Sequence, residues 1–224
     1  MSATTPAPGQ SRQLILDRIG AATQSVKKDA SQLADAYRAL PRAYTRRGAL
    51  SNAARVELMI ERLREYDAEV VECTPAALPA AIAAQLAASG KRIFAAPAGL
   101  PSEWLAEGFD WKIDDSLATA KIEEAEGVVT AATCGVADSG TIVLHHSPAE
   151  GRRVLTLLPD WHLCILRASQ VVETLPEYFN RCQQPPALVT TISGPSATAD
   201  IEMTRIKGVH GPRFLHVILV RDEN

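Results

Sequence analysis

From Ala68 onward the chain repeats one pattern: a short apolar run rich in β-branched residues, a helical stretch, then another run. AEVVECT reads as a strand, PAALPAAIAAQLAASG as an alanine-rich helix with Gly90 placed to end it, and KRIFAAP as the next strand. PSEWLAEG then reads as a short helix with Ser102 at its N-cap, FDWKIDD as a strand and DSLATAKIEEAEG as a helix. Strands joined by such helical crossovers pair in parallel, and both faces of a parallel sheet must be covered. Little other than an α/β layered fold with a mostly parallel sheet satisfies this pattern. Between residues 128 and 175 the pattern changes to hairpin-like stretches, GVVTAATCGVADSG, TIVLHHS and RRVLTLLPDWHLCILRASQVV, so an antiparallel portion is expected there. ETLPEYFNRCQQ reads as a helix, and ALVTTIS and FLHVILV as closing strands.

The first 66 residues lack this alternation. Residues 1–10 are small and proline-bearing, as a disordered tail would be. SRQLILDRIGAA and DASQLADAYRAL read as helices, and Leu50, Ala54, Leu58 and Leu63 recur near helical spacing in a third segment. The expected organisation is a tail at 1–10, an N-terminal helical arm at 11–66 and an α/β domain at 67–224. Up to Tyr66 there are eleven lysines and arginines against six acids. Such an arm can cover an acidic partner, and a solvated face accounts for the excess more simply.

Over all 224 residues the net charge is -3, which argues against nucleic acid as the main partner. No apolar run reaches the roughly 18 residues of a membrane span, and no secretory signal is visible at the N-terminus, so a cytoplasmic location is expected. Cys73, Cys134, Cys164 and Cys182 are scattered, without C-x-x-C spacing, and read as reduced structural thiols. No metal site is expected, since neither H-x-x-x-H nor H-x-x-E-H spacing occurs.

Three glycine-bearing loops hold the candidate chemistry: Thr133–Thr141, Ser193–Glu202 and Lys207–Pro212. Ligands of α/β sheets bind beyond strand ends, and backbone N–H groups in glycine-rich turns beside Ser139, Thr141, Ser193, Ser196 and Thr198 can receive a phosphate or carboxylate. Asp138, Asp200 and Glu202 would meet hydroxyl groups or orient the loops. Turn chemistry by itself explains most of TCGVADSGT, whereas ISGPSATADIE is longer and richer than a simple turn requires. Among the histidines, His210 is flanked by loop glycines and is the candidate acid or base. His216 reads as a strand residue with a satisfied ring and His162 as a core or rim histidine. His145 and His146 are adjacent at a strand end, so they face opposite ways. No G-x-S-x-G elbow supports a serine nucleophile.

ADSGTIVL, then GRRVLTLLPDWHLCILRASQVV, ISGPSATADIE and GVHGPRFLHVILV, in this order, closely resemble the lactate utilization protein C family, the LUD domain, over roughly Ala68 to Val220. The resemblance implies a fold like the NagB/RpiA/CoA-transferase group, with a ligand cleft lined by glycine-rich loops. The family's motif positions fall on Asp138, Ser139, Gly140 and Thr141 in the first loop, Ser139 standing where threonine is frequent. In the second loop they fall on Ser193, Gly194, Pro195, Ser196, Asp200, Ile201 and Glu202, and in the third on Gly208, His210, Gly211 and Pro212. It further implies a non-redox part in oxidising L-lactate to pyruvate, beside two iron–sulfur partner proteins. This chain lacks the cysteine-rich segments of larger LUD proteins, so it should carry no iron–sulfur cluster itself. Taking two electrons from lactate needs a redox cofactor, which partner subunits or an unadvertised organic cofactor would supply. The expectation is therefore a small carboxylate or anionic cofactor bound in the cleft, with His210, Glu202 and Asp200 as catalytic candidates. Two other readings stay open: an assembly adaptor for the iron–sulfur proteins with no ligand of its own, and a CoA-transferase-like or phosphosugar-type enzyme with Glu202 as nucleophile.

Overall fold

The structure, a computed structural model, describes residues 8–23, 29–198, 206–208 and 211–222. The chain divides into two compact units, Met1–Tyr44 and Thr45–Asn224. The first holds helices α1 (Pro8–Thr23) and α2 (Ala30–Arg38). No residue of α2 is buried, and Leu14, Ile15, Leu16 and Ile19 of α1 are exposed. Of the tail expected at 1–10, residues 1–7 lie outside the described residues, and α1 already begins at Pro8.

The second unit begins well before residue 67. Helix α3 (Asn52–Glu65) starts where the Ser51 hydroxyl accepts a hydrogen bond from the Ala54 N–H, and it buries Val56, Met59, Ile60 and Leu63 completely or nearly so. Those four side chains belong to the main hydrophobic core, so this helix, grouped by sequence with the arm, is a layer of the α/β body.

The central sheet has six strands, all parallel: β1 (Glu69–Cys73), β2 (Ile93–Pro97), β3 (Asp110–Asp114), β4 (Gly127–Ala131), β7 (Trp161–Arg167) and β12 (Phe214–Val220), in the order β1-β12-β7-β4-β2-β3. Side chains of a strand alternate between faces. Cys164, Leu166, Val217 and Leu219 therefore meet α3 on one face. Leu163, Ile165, Ile218 and Val220 meet Leu78, Ile82 and Leu86 of helix α4 (Leu78–Ala88) on the other. Gly90, two residues beyond α4, has φ +69, the left-handed conformation of a helix-ending glycine.

Between β4 and β7 the chain builds a smaller mixed sheet, completed by later segments. Its strands are β5 (Cys134–Val136), β6 (Thr141–Leu144), β8 (Val171–Val172) and β9 (Thr190–Ile192), ordered β8-β5-β6-β9. β6 runs antiparallel to both β5 and β9, while β5 and β8 are parallel. This is the antiparallel portion expected from the hairpin-like sequence. Helices α5 (Thr119–Glu123) and α6 (Leu175–Arg181) are short, and at the start of α6 the Glu177 carboxylate accepts from the Glu173 and Thr174 N–H groups.

Two local expectations are corrected. RRVLTLL was expected as a strand, but Arg153–Thr156 form a 3-10 turn. β4 and β12 enter register with β7 only at Trp161, so the segment before it has no ladder partner and closes its own turn, Leu157 N–H donating to the Val154 carbonyl at 3.2 Å. Ser102 opens a 3-10 turn to Trp104 without capping it; Pro101 holds the cap position.

Candidate functional site

β9 leads into Ser193–Ser196 and then β10 (Ala197–Thr198), which pairs antiparallel with β11 (Ile206–Lys207). The second and third loops are joined backbone to backbone: Ser196 N–H donates to the Pro212 carbonyl at 2.8 Å, and Gly208 N–H to the Ser196 carbonyl at 2.9 Å. Beneath them lies a cavity of about 210 Å³, walled by Ser193–Ser196, Gly211 and Pro212 on the loop side and by Arg153, Thr156, His162 and Leu215 on the body side. His162 and Leu215 are the second residues of β7 and β12. The cavity thus covers the amino ends of two central strands, not the carboxyl ends favoured by the general rule for such sheets.

Arg153 and His162 supply its charge chemistry. Arg153 is half-buried; its Nη1 donates to Thr156 Oγ1 at 2.9 Å and to the Thr156 carbonyl at 3.3 Å. Burial lowers its pKa from 12.5, and among the described residues no carboxylate pairs with it. A guanidinium needs more than a hydroxyl and a carbonyl to satisfy its five N–H groups, so it retains donors for an anion. His162 is 1% exposed, with Nε2 2.8 Å from Thr130 Oγ1. Burial, and then the Arg153 charge, bring its pKa down to about 4. At neutral pH the imidazole is uncharged and serves as a hydrogen-bonding group on the cavity floor, not as a stored proton.

The first loop stands beside this cavity without lining it. Its contact is a chain of hydroxyls: Ser139 Oγ lies 2.8 Å from Thr141 Oγ1, which lies 2.7 Å from Ser193 Oγ. Gly140 (φ +58) packs against α3, where an added Cβ would stand 2.8 Å from the Arg62 Cβ. Asp138 is exposed, and its N–H donates to the Glu173 carbonyl at 2.9 Å. Of the expected ligand residues, Ser193, Gly194, Pro195, Ser196 and Gly211 wall the cavity. Ser139 and Thr141 reach it only through the Ser193 hydroxyl, Asp138 and Gly140 face Glu173 and α3 instead, and Gly208 is exposed at the hairpin end. Asp200, Ile201, Glu202 and His210 lie outside the described residues.

Sequence reasoning missed Arg153 and Thr156, and it assigned His162 to core or rim without a site. The available signal was the arginine pair of GRR directly after a glycine, which the strand reading of that segment absorbed. The other histidines are engaged elsewhere. His145 Nε2 lies 2.7 Å from the Tyr178 hydroxyl, while His146 lies between the Gly151 carbonyl and Thr190 Oγ1, at 2.8 Å from each, so the adjacent pair points apart as expected. His216 Nδ1 is 3.2 Å from Gln85 Oε1. All four cysteines are free thiols, and burial pushes Cys134 up to about 11 and Cys164 up to about 12, which keeps both protonated and unreactive at neutral pH.

Fold and cavity together define an α/β protein with a small, partly open, arginine-bearing pocket at the junction of two sheets. The LUD domain profile matches residues 56–220, and the chain belongs to that family. It is similar to the lactate utilization protein C of Deinococcus radiodurans, 39% identical over 178 residues that span 76% of this chain and 82% of that one. The protein of the same name from Bacillus subtilis is 34% identical over 134 residues, 55% of each chain. Among solved structures, a DUF162 family protein from Deinococcus radiodurans superposes with a TM-score of 0.65 at 34% identity, covering 77% of this chain and 99% of the other. Among the described residues no helix is long and apolar enough to cross a membrane.

Proposed function

We propose that this chain is a cytoplasmic, non-redox component of an L-lactate utilization system, and that its cavity binds a small carboxylate while two iron–sulfur partner proteins carry the electrons. The observation that carries the reading is Arg153: a half-buried guanidinium, without a carboxylate partner among the described residues, on the wall of a cavity of about 210 Å³. That volume lies below the roughly 300 Å³ where sites for drug-sized ligands begin, which suits a three-carbon acid and not a whole coenzyme. Arg153 meets the carboxylate, and the Ser193 and Ser196 hydroxyls with the neutral His162 ring meet the α-hydroxyl or keto oxygen. The names of the relatives support the metabolic assignment.

Calorimetry with L-lactate and pyruvate tests it. Binding of one of them is expected, with a loss of about 1.5–3 kcal/mol, roughly 10- to 150-fold in affinity, in Arg153→Leu. No binding of either acid, or binding unchanged in Arg153→Leu, refutes it.

The exposed Leu14, Ile15, Leu16 and Ile19 favour a second reading, in which residues 1–44 dock the chain onto its partners. A chain lacking residues 1–44 then binds lactate normally and loses co-purification with the iron–sulfur proteins. Retained co-purification removes that reading.

A further inference from the structure

β2 and β3 end side by side, Pro97 in register with Asp114. From β2 the chain continues to β3 on one side, whereas β4, on the other side of β2, leads toward β7; the order reverses between β2 and β4. Outside the carboxyl ends of strands at such a reversal, open α/β sheets leave a ligand crevice. One of about 490 Å³ lies beside that point, beyond the ends of β2 and β3, formed by the segments after these two strands and by the loop that follows β6. It is distinct from the cavity described above, which covers the amino ends of β7 and β12; Arg153 is the single residue on both walls.

Its lining divides by chemistry. Asp114, 7% exposed, accepts Arg152 Nε at 2.9 Å and Nη2 at 2.6 Å, and Arg152 Nη2 also reaches the Leu117 carbonyl at 2.8 Å. The guanidinium is thereby fixed in place, and its Nη1 makes no hydrogen bond among the described residues. Asp115 and Ser116, the next two residues, are exposed on the crevice wall, and Ser116 has φ +69. His146, on the facing loop, has φ +56. Two of the three non-glycine residues with positive φ among the described residues thus stand on this wall, and such backbone gathers at ligand sites. Pro97, Pro148 and the exposed Leu188 supply an apolar patch.

We propose that this crevice is a second binding site and that it takes a mononucleotide. The phosphate meets the fixed Arg152 with Arg153 beside it. The Asp115 carboxylate accepts from the ribose hydroxyls, the use that dinucleotide-binding sheets make of an acidic side chain. The base lies on Pro97, Pro148 and Leu188. The volume falls within the roughly 300–1,000 Å³ of sites for ligands of that size. A phosphate alone would leave the apolar patch and Asp115 unexplained.

The test is calorimetry on the full chain with AMP, adenosine and inorganic phosphate, for the wild type, Asp115→Ala and Leu188→Ser. Both replaced side chains are exposed and neither lines the small cavity, so circular dichroism is the control for folding and the response to L-lactate reports on the first site. AMP is expected to bind more tightly than adenosine or phosphate, and to weaken by about tenfold in each variant while the response to L-lactate stays as in the wild type. Absence of AMP binding up to millimolar concentration overturns the proposal. So does AMP binding that both variants leave intact. Neither outcome bears on whether lactate itself binds.

Discussion

His162 has an ordinary pKa of 6.5 and a folded value of about 4, because its ring is removed from water and lies near the Arg153 charge. The unfolded chain therefore binds a proton below about 6.5 that the folded chain refuses until about 4. Across that window the unfolded state holds more protons, so stability falls as pH falls, and below it both states are protonated and the loss stays constant. The full difference is about 3 kcal/mol, of which about 1.5 has been lost by pH 5.5 and about 2.5 by pH 4.5. Replacement by glutamine removes the titration and keeps a hydrogen-bonding group for Thr130 Oγ1. Urea unfolding of the wild type and His162→Gln between about pH 7.5 and 4.5 measures it, with the carboxylates common to both proteins cancelling. The variant should start less stable at neutral pH and lose about 2.5 kcal/mol less on acidification. Parallel losses in the two proteins would refute a buried, neutral imidazole on the cavity floor.

Three further outcomes follow from the packing. Removing residues 1–44 should leave urea unfolding of the remaining unit cooperative, whereas removing residues 1–66 also takes away Val56, Met59, Ile60 and Leu63, about 6–12 kcal/mol of burial, and should abolish the folded state by circular dichroism. A well-folded protein without residues 1–66 would contradict the place given to α3. Gly140→Ala places a side chain at φ +58 and against Arg62, so a loss of about 2–4 kcal/mol in thermal unfolding is expected; a change within about 0.5 kcal/mol would show that the first loop does not pack on α3. Asp114→Ala removes both Arg152 hydrogen bonds and the acceptor for the Leu117 N–H, about 1.5–3 kcal/mol at neutral pH, toward the lower end because the half-exposed Arg152 regains water. The Arg152 hydrogen bonds hold the Asp114 carboxyl below its ordinary 3.8, so that stability is complete above 3.8 and vanishes as pH falls through the folded value. The gap between wild type and variant should therefore close in acid, and a gap that persists there would point to packing as its source.

The strands were legible because each carries its own evidence: IFAAP and VILV are apolar on both sides, as a doubly covered sheet requires, and Gly90 marks the end of α4 by its position alone. RRVLTLL was misread for the opposite reason. Its residues suit a strand, and what denies it one is where β4 and β12 begin, which no local pattern records. Similarly, the helical spacing in 50–66 was visible, but whether that helix stood free or closed the core depended on the sheet face it met.

For the site, Ser193–Ser196 and Gly211 were recognisable as unusual loop chemistry, and the structure sets them on one cavity wall. The opposite wall was hidden. His162 alternates within a buried strand exactly where a core residue would, and Arg153 sits in a segment that reads as apolar; only the loops folded across the amino ends of β7 and β12 leave an opening above them. Sequence by itself determined the α/β class, the parallel sheet and the turns, since period and turn chemistry are properties of neighbouring residues. The tertiary structure decided which loops meet, which arginine stands on the cavity wall and which histidine is dry, because burial and electrostatics depend on distances between residues far apart along the chain.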